Sequence, residues 1–138
     1  MPAHDTKMPM RVTAIRAICT LLGLLVAGDS CARAVFAAST DAGAAAIARL
    51  YDGQTYTAPI DLSPFASFTG GARVACGDVN ADGQADLIVG AGAGGTPQIK
   101  IYSGRNGALL DDYLAFSAGF GGGVYVAAGD VDGDGHAD

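Results

Sequence analysis

Asp78-Val79-Asn80-Ala81-Asp82-Gly83-Gln84-Ala85-Asp86 recurs 52 residues later as Asp130-Val131-Asp132-Gly133-Asp134-Gly135-His136-Ala137-Asp138. Each copy puts oxygen-bearing side chains at loop positions 1, 3, 5 and 9 and glycine at position 6. A hard cation such as calcium needs several oxygen ligands gathered by one tight turn, with glycine where the chain bends most. Asp, Asn and Gly also favour plain β-turns. A turn needs only one or two of them, however, and three or four carboxylates crowded into nine residues repel one another unless a cation or protons intervene.

The repeat extends upstream of the loops. Arg49-Leu50-Tyr51-Asp52-Gly53 aligns with Lys100-Ile101-Tyr102-Ser103-Gly104 at an offset of 51 residues. The stretch from Phe68 to Asp78 aligns with Phe120 to Asp130 at an offset of 52. A period near fifty marks a stacked or radial array, in which no single unit buries its own face. Within one unit, Val74 and Cys76 alternate with Arg73 and Ala75, which predicts a strand with one packed face. Leu87-Ile88-Val89 is an apolar run of inner-strand length. Gly90 to Pro97 supplies tight turning, and Gln98-Ile99-Lys100-Ile101 alternates as a strand near an edge does. The expected fold is all-β, built of four-stranded antiparallel blades, with about two repeats and the second one incomplete.

Composition supports this reading. All fourteen acidic residues are aspartate, half of them lie in the two loops, and the chain of 138 residues carries a net charge of -6. No basic cluster is present, so nucleic acid is not an expected partner. Glycine is abundant, with 21 residues, and tryptophan is absent, as suits a turn-rich β fold.

Residues 1–34 read as a signal peptide. Lys7, Arg11 and Arg16 precede an uncharged apolar core from Ala17 to Ala27, and Ala32-Arg33-Ala34 offers a small-x-small cleavage site. That apolar run falls well short of the roughly 20 residues a spanning helix needs. Removing it leaves four basic residues against twelve aspartates, a net charge of -8, and Cys76 as the lone cysteine. Cys76 stands where the second copy has Ala128, which predicts a small buried apolar role. Residues 35–46 read as a linker or the frayed edge of the first unit, and residues 47–138 as the repeat region.

The acidic loops, Phe120-Gly121 and the Gly90–Pro97 segment resemble the FG-GAP repeat family, also grouped with VCBS repeats, whose members resemble integrin α-subunit β-propeller blades. The resemblance covers roughly residues 43–138. It implies a calcium ion in each loop, held by side chains at positions 1, 3, 5 and 9 and a backbone carbonyl at position 7. The implied ligand sets are Asp78, Asn80, Asp82, Gln84 and Asp86, and Asp130, Asp132, Asp134, His136 and Asp138. Phe68-Thr69 replaces the family's Phe-Gly in the first copy, and Gly92-Ala93 is separated from Pro97 where the family has Gly-Ala-Pro. An EF-hand would need a carboxylate at position 12, which is Val89, and a helix would have to follow. The glycines of residues 90–95 lack the helix a dinucleotide fingerprint requires.

No nucleophile with a base can be assembled from residues 35–138, so no enzyme is expected. Tyr51, Tyr102, Phe68 and Phe120 are expected to pack between blades, Asp111-Asp112 to form a solvated hairpin tip, and the His136 imidazole to face solvent. The functional expectation is a secreted, periplasmic or cell-surface calcium-binding repeat protein with a structural, adhesion or ligand-binding role. Its partner would be an extracellular protein or carbohydrate. The alternative is the accessory propeller region of an exported enzyme. A propeller closes with about 4 to 8 blades, so the chain is expected to be a portion of a longer protein, with self-assembly of short chains as the other route.

Overall fold

In a computed structural model of the chain, residues 35–138 are described, and the expected signal peptide, residues 1–34, lies outside them. Among the described residues there is no helix, and all regular structure is antiparallel β. Strands β1 (Val35–Ser39), β2 (Ala48–Asp52) and β3 (Ile60–Leu62) form one sheet in that order. Strands β4 (Ala72–Gly77), β5 (Asp86–Ala91), β6 (Gln98–Tyr102) and β7 (Leu109–Leu114) form a four-stranded meander, the blade expected from the sequence.

The apolar run after the first loop becomes β5, buried along its whole length. Leu87 and Val89 point from it toward the first sheet and meet Ala46, Ala48, Leu50, Ile60 and Ala72 in a single core. Burying each of these two side chains contributes about 2 kcal/mol. Val74, Cys76 and Tyr102 pack around that core. Cys76 is half-buried, and burial pushes its thiol up from the usual cysteine range.

The 51-residue offset is visible in the hairpins. Asp52 N donates to Thr57 O at 3.0 Å and Tyr56 N to Asp52 O at 2.7 Å; Ser103 N donates to Ala108 O and Gly107 N to Ser103 O, both at 2.8 Å. The buried Asp52 and Ser103 side chains each accept further backbone N–H groups inside their turns. Carried over by this offset, β1, β2 and β3 correspond to β5, β6 and β7. Among the described residues, the first sheet is therefore a blade without its innermost strand.

Three features differ from the sequence reading. Residues 35–39 form β1, paired along its length with β2, because β2 offers it a full ladder. Asp111 and Asp112 lie within β7 and not at a hairpin tip; Asp112 faces Lys100 across the ladder, with carboxylate and ammonium 3.6 Å apart. Residues 124–128 are not a strand, although they match β4, because among the described residues no strand runs alongside them.

The aromatic positions pair locally. Tyr51 stacks on Phe36 with ring centroids 4.8 Å apart, Phe68 meets Phe65 edge-on, and Phe120 lies against Phe116 at 4.9 Å.

Candidate metal centre

The two acidic loops fold alike. In the first, Gly83 N donates to Asp78 Oδ2, Asp82 N to Asn80 Oδ1, Gln84 N to Asp82 Oδ1 and Val79 N to Asp86 Oδ2. In the second, Gly135 N donates to Asp130 Oδ2, Asp134 N to Asp132 Oδ1, His136 N to Asp134 Oδ1 and Val131 N to Asp138 Oδ2. The glycines at position 6, Gly83 and Gly135, have φ of 81° and 92°, the left-handed conformation that makes glycine suitable there.

Position 4 is left-handed too. Ala81 has φ 57° where the second loop has Gly133 at 82°. A Cβ in this region costs roughly 1–2 kcal/mol. Ala81→Gly should therefore raise stability by about 1 kcal/mol, read as a higher urea midpoint with an unchanged slope. An unchanged or lower midpoint would show that the alanine is not strained.

The loops differ in where their carboxylates go. Oxygens of Asp130, Asp132 and Asp138 lie within 4.8 Å of one another, all on exposed side chains, and this is the group of three that comes together among the described residues. Calcium–oxygen distances are about 2.3–2.6 Å, so two ligands on opposite sides of one ion are at most about 5 Å apart. The three oxygens fit that limit, and an all-carboxylate donor set suits a hard cation. Asp134 and His136, the other residues carried over for this loop, are not in the group; the His136 side chain is exposed.

The first loop brings no such group together. Asp82 turns to Arg105 on the β6–β7 hairpin, with Oδ2 and Nε 3.6 Å apart. Asp86 is fully buried. Its Oδ1 accepts from Gly104 N at 3.0 Å and its Oδ2 from Val79 N at 3.1 Å, so one carboxylate ties the loop to the hairpin beside it. Gly104 sits so close to the Ala85 carbonyl oxygen that a Cβ there would collide with it. Burial pushes the Asp86 carboxyl above the usual aspartate range, opposed by the Gly104 and Val79 N–H groups, while Asp82 and Asp78 add a smaller upward push. Asp78, Asn80 and Gln84 remain at the loop's half-buried to exposed rim. Sequence reasoning missed Arg105 and Gly104 as partners of this loop, because both belong to a turn brought alongside only by the sheet.

The loops are also joined to each other. Ala137 N donates to Asp78 O at 2.7 Å; within the second loop, Gly129 and Asp138 exchange backbone hydrogen bonds at 3.3 and 2.9 Å.

No curated protein and no solved structure matches the chain. Residues 78–138 match the model of a family described as FG-GAP-like repeat. That match starts at the first residue of one acidic loop, ends at the last of the other, and spans all of β5, β6 and β7. The chain thus carries an FG-GAP-like repeat over residues 78–138, set in an all-β fold of incomplete propeller blades.

Proposed function

We propose that this chain is an exported, calcium-stabilised part of a larger β-propeller with a structural, adhesion or ligand-binding role. The observation that carries the reading is the convergence of Asp130, Asp132 and Asp138. A bound calcium ion would supply the positive charge that lets these carboxylates sit together. Asp130, Asp132 and Asp138 would hold it, with the loop's Asp134 side chain and the His136 carbonyl completing the set. The first loop would join in once Asp82 left Arg105.

Metal binding would contribute directly to folding, because the site exists only when the loop is closed. Extracellular modules bind calcium at about 10⁻⁴ to 10⁻³ M, which places the working site in a calcium-rich exterior. FG-GAP-like repeats suit such a setting, and no helix among the described residues is long and apolar enough to cross a membrane. Catalysis is left out of this reading; in an exported enzyme with such repeats, the reacting groups would belong to a separate domain.

Calorimetric titration with CaCl₂ tests the proposal. Saturable heat is expected at millimolar calcium or below, and Asp130→Ala should weaken the second-loop site at least tenfold, since even outer-shell changes cost about 10-fold or more. Asp82→Ala and Asp134→Ala should lower affinity and melting temperature together. A flat titration of the unsubstituted chain would end the calcium reading.

A further inference from the structure

The first acidic loop has a cation of the chain's own within reach. Asp82, at loop position 5, turns its Oδ2 to the Arg105 guanidinium, with Nε 3.6 Å away; the Asp82 side chain is 25% exposed and that of Arg105 59%. This loop holds three carboxylates where the second holds four, because Asn80 stands in the place of Asp132. We propose that Arg105 is a tethered counter-ion of the first loop, which competes with calcium for Asp82 and so sets that loop's calcium affinity. The inference rests on the calcium reading above and adds to it a competitor built into the chain.

Three observations carry this. First, the fold holds Arg105 in place. Its neighbour Gly104 donates N–H to Asp86 Oδ1 at 3.0 Å, which fixes the tip of the β6–β7 hairpin to position 9 of the same loop. A guanidinium on so short a tether meets Asp82 at an effective concentration of about the millimolar range, where extracellular modules also fill with calcium. Second, the turn itself does not need arginine. The equivalent hairpin of the first sheet has Gln54 at this position, and Gln54 N donates to Asp52 Oδ1 at 2.7 Å as Arg105 N donates to Ser103 Oγ at 3.2 Å. The same turn forms around either residue, so the positive charge serves the loop opposite. Third, the two oxygens of Asp82 have separate partners. Oδ1 accepts from Gln84 N at 2.9 Å and keeps the bend, while Oδ2 faces Arg105. Exchanging one cation for another requires only Oδ2 to change partner.

Magnitude decides what kind of competitor this is. Calcium loops are tuned by the number of charges their ligands carry, and the guanidinium offsets one of the three here. An exposed ion pair favours its closed form by about fivefold at most. That is too little to bar a divalent ion and enough to move the concentration at which the loop fills. Arg105 therefore raises the calcium threshold of the first loop without closing the site.

The test uses the full chain carrying Asp130→Ala and Asp132→Ala, which silence the second loop so that calcium heat reports the first. Calorimetric titration with CaCl₂ compares this background with Arg105→Gln, the residue of the first hairpin, and with Arg105→Lys. Arg105→Gln should tighten the first-loop site by about threefold to fivefold. Arg105→Lys keeps the charge and should stay within about twofold. With Asp82→Asn added, Arg105→Gln should change the affinity by less than about twofold, since the pair it breaks is already gone. Melting supplies an independent sign: Arg105→Gln should melt at or slightly below its background in EDTA and above it in calcium, whereas a merely structural role would lower both. Unchanged or weaker calcium binding by Arg105→Gln overturns the proposal. So does an equal gain in the presence of Asp82→Asn, which would mark a general effect of charge. If the background binds no calcium with either residue at position 105, the first loop is not a site and the proposal falls, while heat from the unsubstituted chain still reports the second loop. A flat titration of the unsubstituted chain as well removes the calcium reading itself.

Discussion

Replacing Asp86 with alanine is expected to destabilise the chain by about 3 to 5 kcal/mol, since each buried N–H left without a partner costs about 1 to 3 kcal/mol. Val79 N and Gly104 N would both lose their acceptor, and the loop would lose its tie to the β6–β7 hairpin. Against a typical domain stability of about 5 to 15 kcal/mol, this is a large fraction of the whole. Asp138 holds the same position in the second loop but is exposed and accepts one such bond, from Val131 N at 3.2 Å. In chelator, Asp138→Ala should cost less than about 1 kcal/mol, the usual net worth of one exposed hydrogen bond. Urea unfolding of the two variants in EDTA reads the contrast. Equal losses would show that Asp86 does not anchor the blade.

The same carboxyl gives a pH signature of defined sign. Its pKa in the folded chain is raised above the ordinary value of 3.8, chiefly by burial. The folded state therefore binds this proton more tightly than the unfolded state does. The resulting stability is fully present below the unfolded value and is lost as pH rises through the folded one. In metal-free buffer, the gap between parent and Asp86→Asn should widen as pH falls from neutral toward 4. A gap that narrows would contradict the burial of this group.

Adding saturating calcium to chelated protein should raise its melting temperature by about 10 to 20 °C. At 100 times Kd, one site adds about 2.7 kcal/mol, and in a domain of this size each kcal/mol is worth about 4 to 8 °C. The effect should reach beyond the second loop, because the bond from Ala137 N to Asp78 O links it to the first loop and so to β4 and β5. Magnesium should do much less, since it keeps most of its water and suits a flexible loop poorly. Superimposable melts in calcium and EDTA would mean that neither loop is a structural ion site.

Much of the blade was legible because the loop is punctuated by chemistry that period alone exposes. The acidic nine-residue motif, the apolar run behind it and the glycine turn each occur where a strand ends or begins. Strand β1 was not legible. Val-Phe-Ala-Ala-Ser carries no alternation of polar and apolar residues, and only the partner β2 makes it a strand. Asp111 and Asp112 looked like turn residues for the converse reason: side-chain type suggested solvent, while the ladder to β6 set their place and left them on an edge strand that tolerates charge.

From sequence alone came the all-β repeat, its period, the two oxygen-rich turns and the glycines at their bends, because spacing along the chain is enough to specify local backbone shape. Which carboxylates converge was decided only by the tertiary structure. Arg105 draws Asp82 aside and the β6–β7 hairpin encloses Asp86, whereas Asp130, Asp132 and Asp138 accept backbone N–H groups of their own loop and converge. Two loops of nearly the same sequence thus differ in what surrounds them, and electrostatic and hydrogen-bonding partners contributed from distant turns cannot be read from the spacing of the ligands themselves.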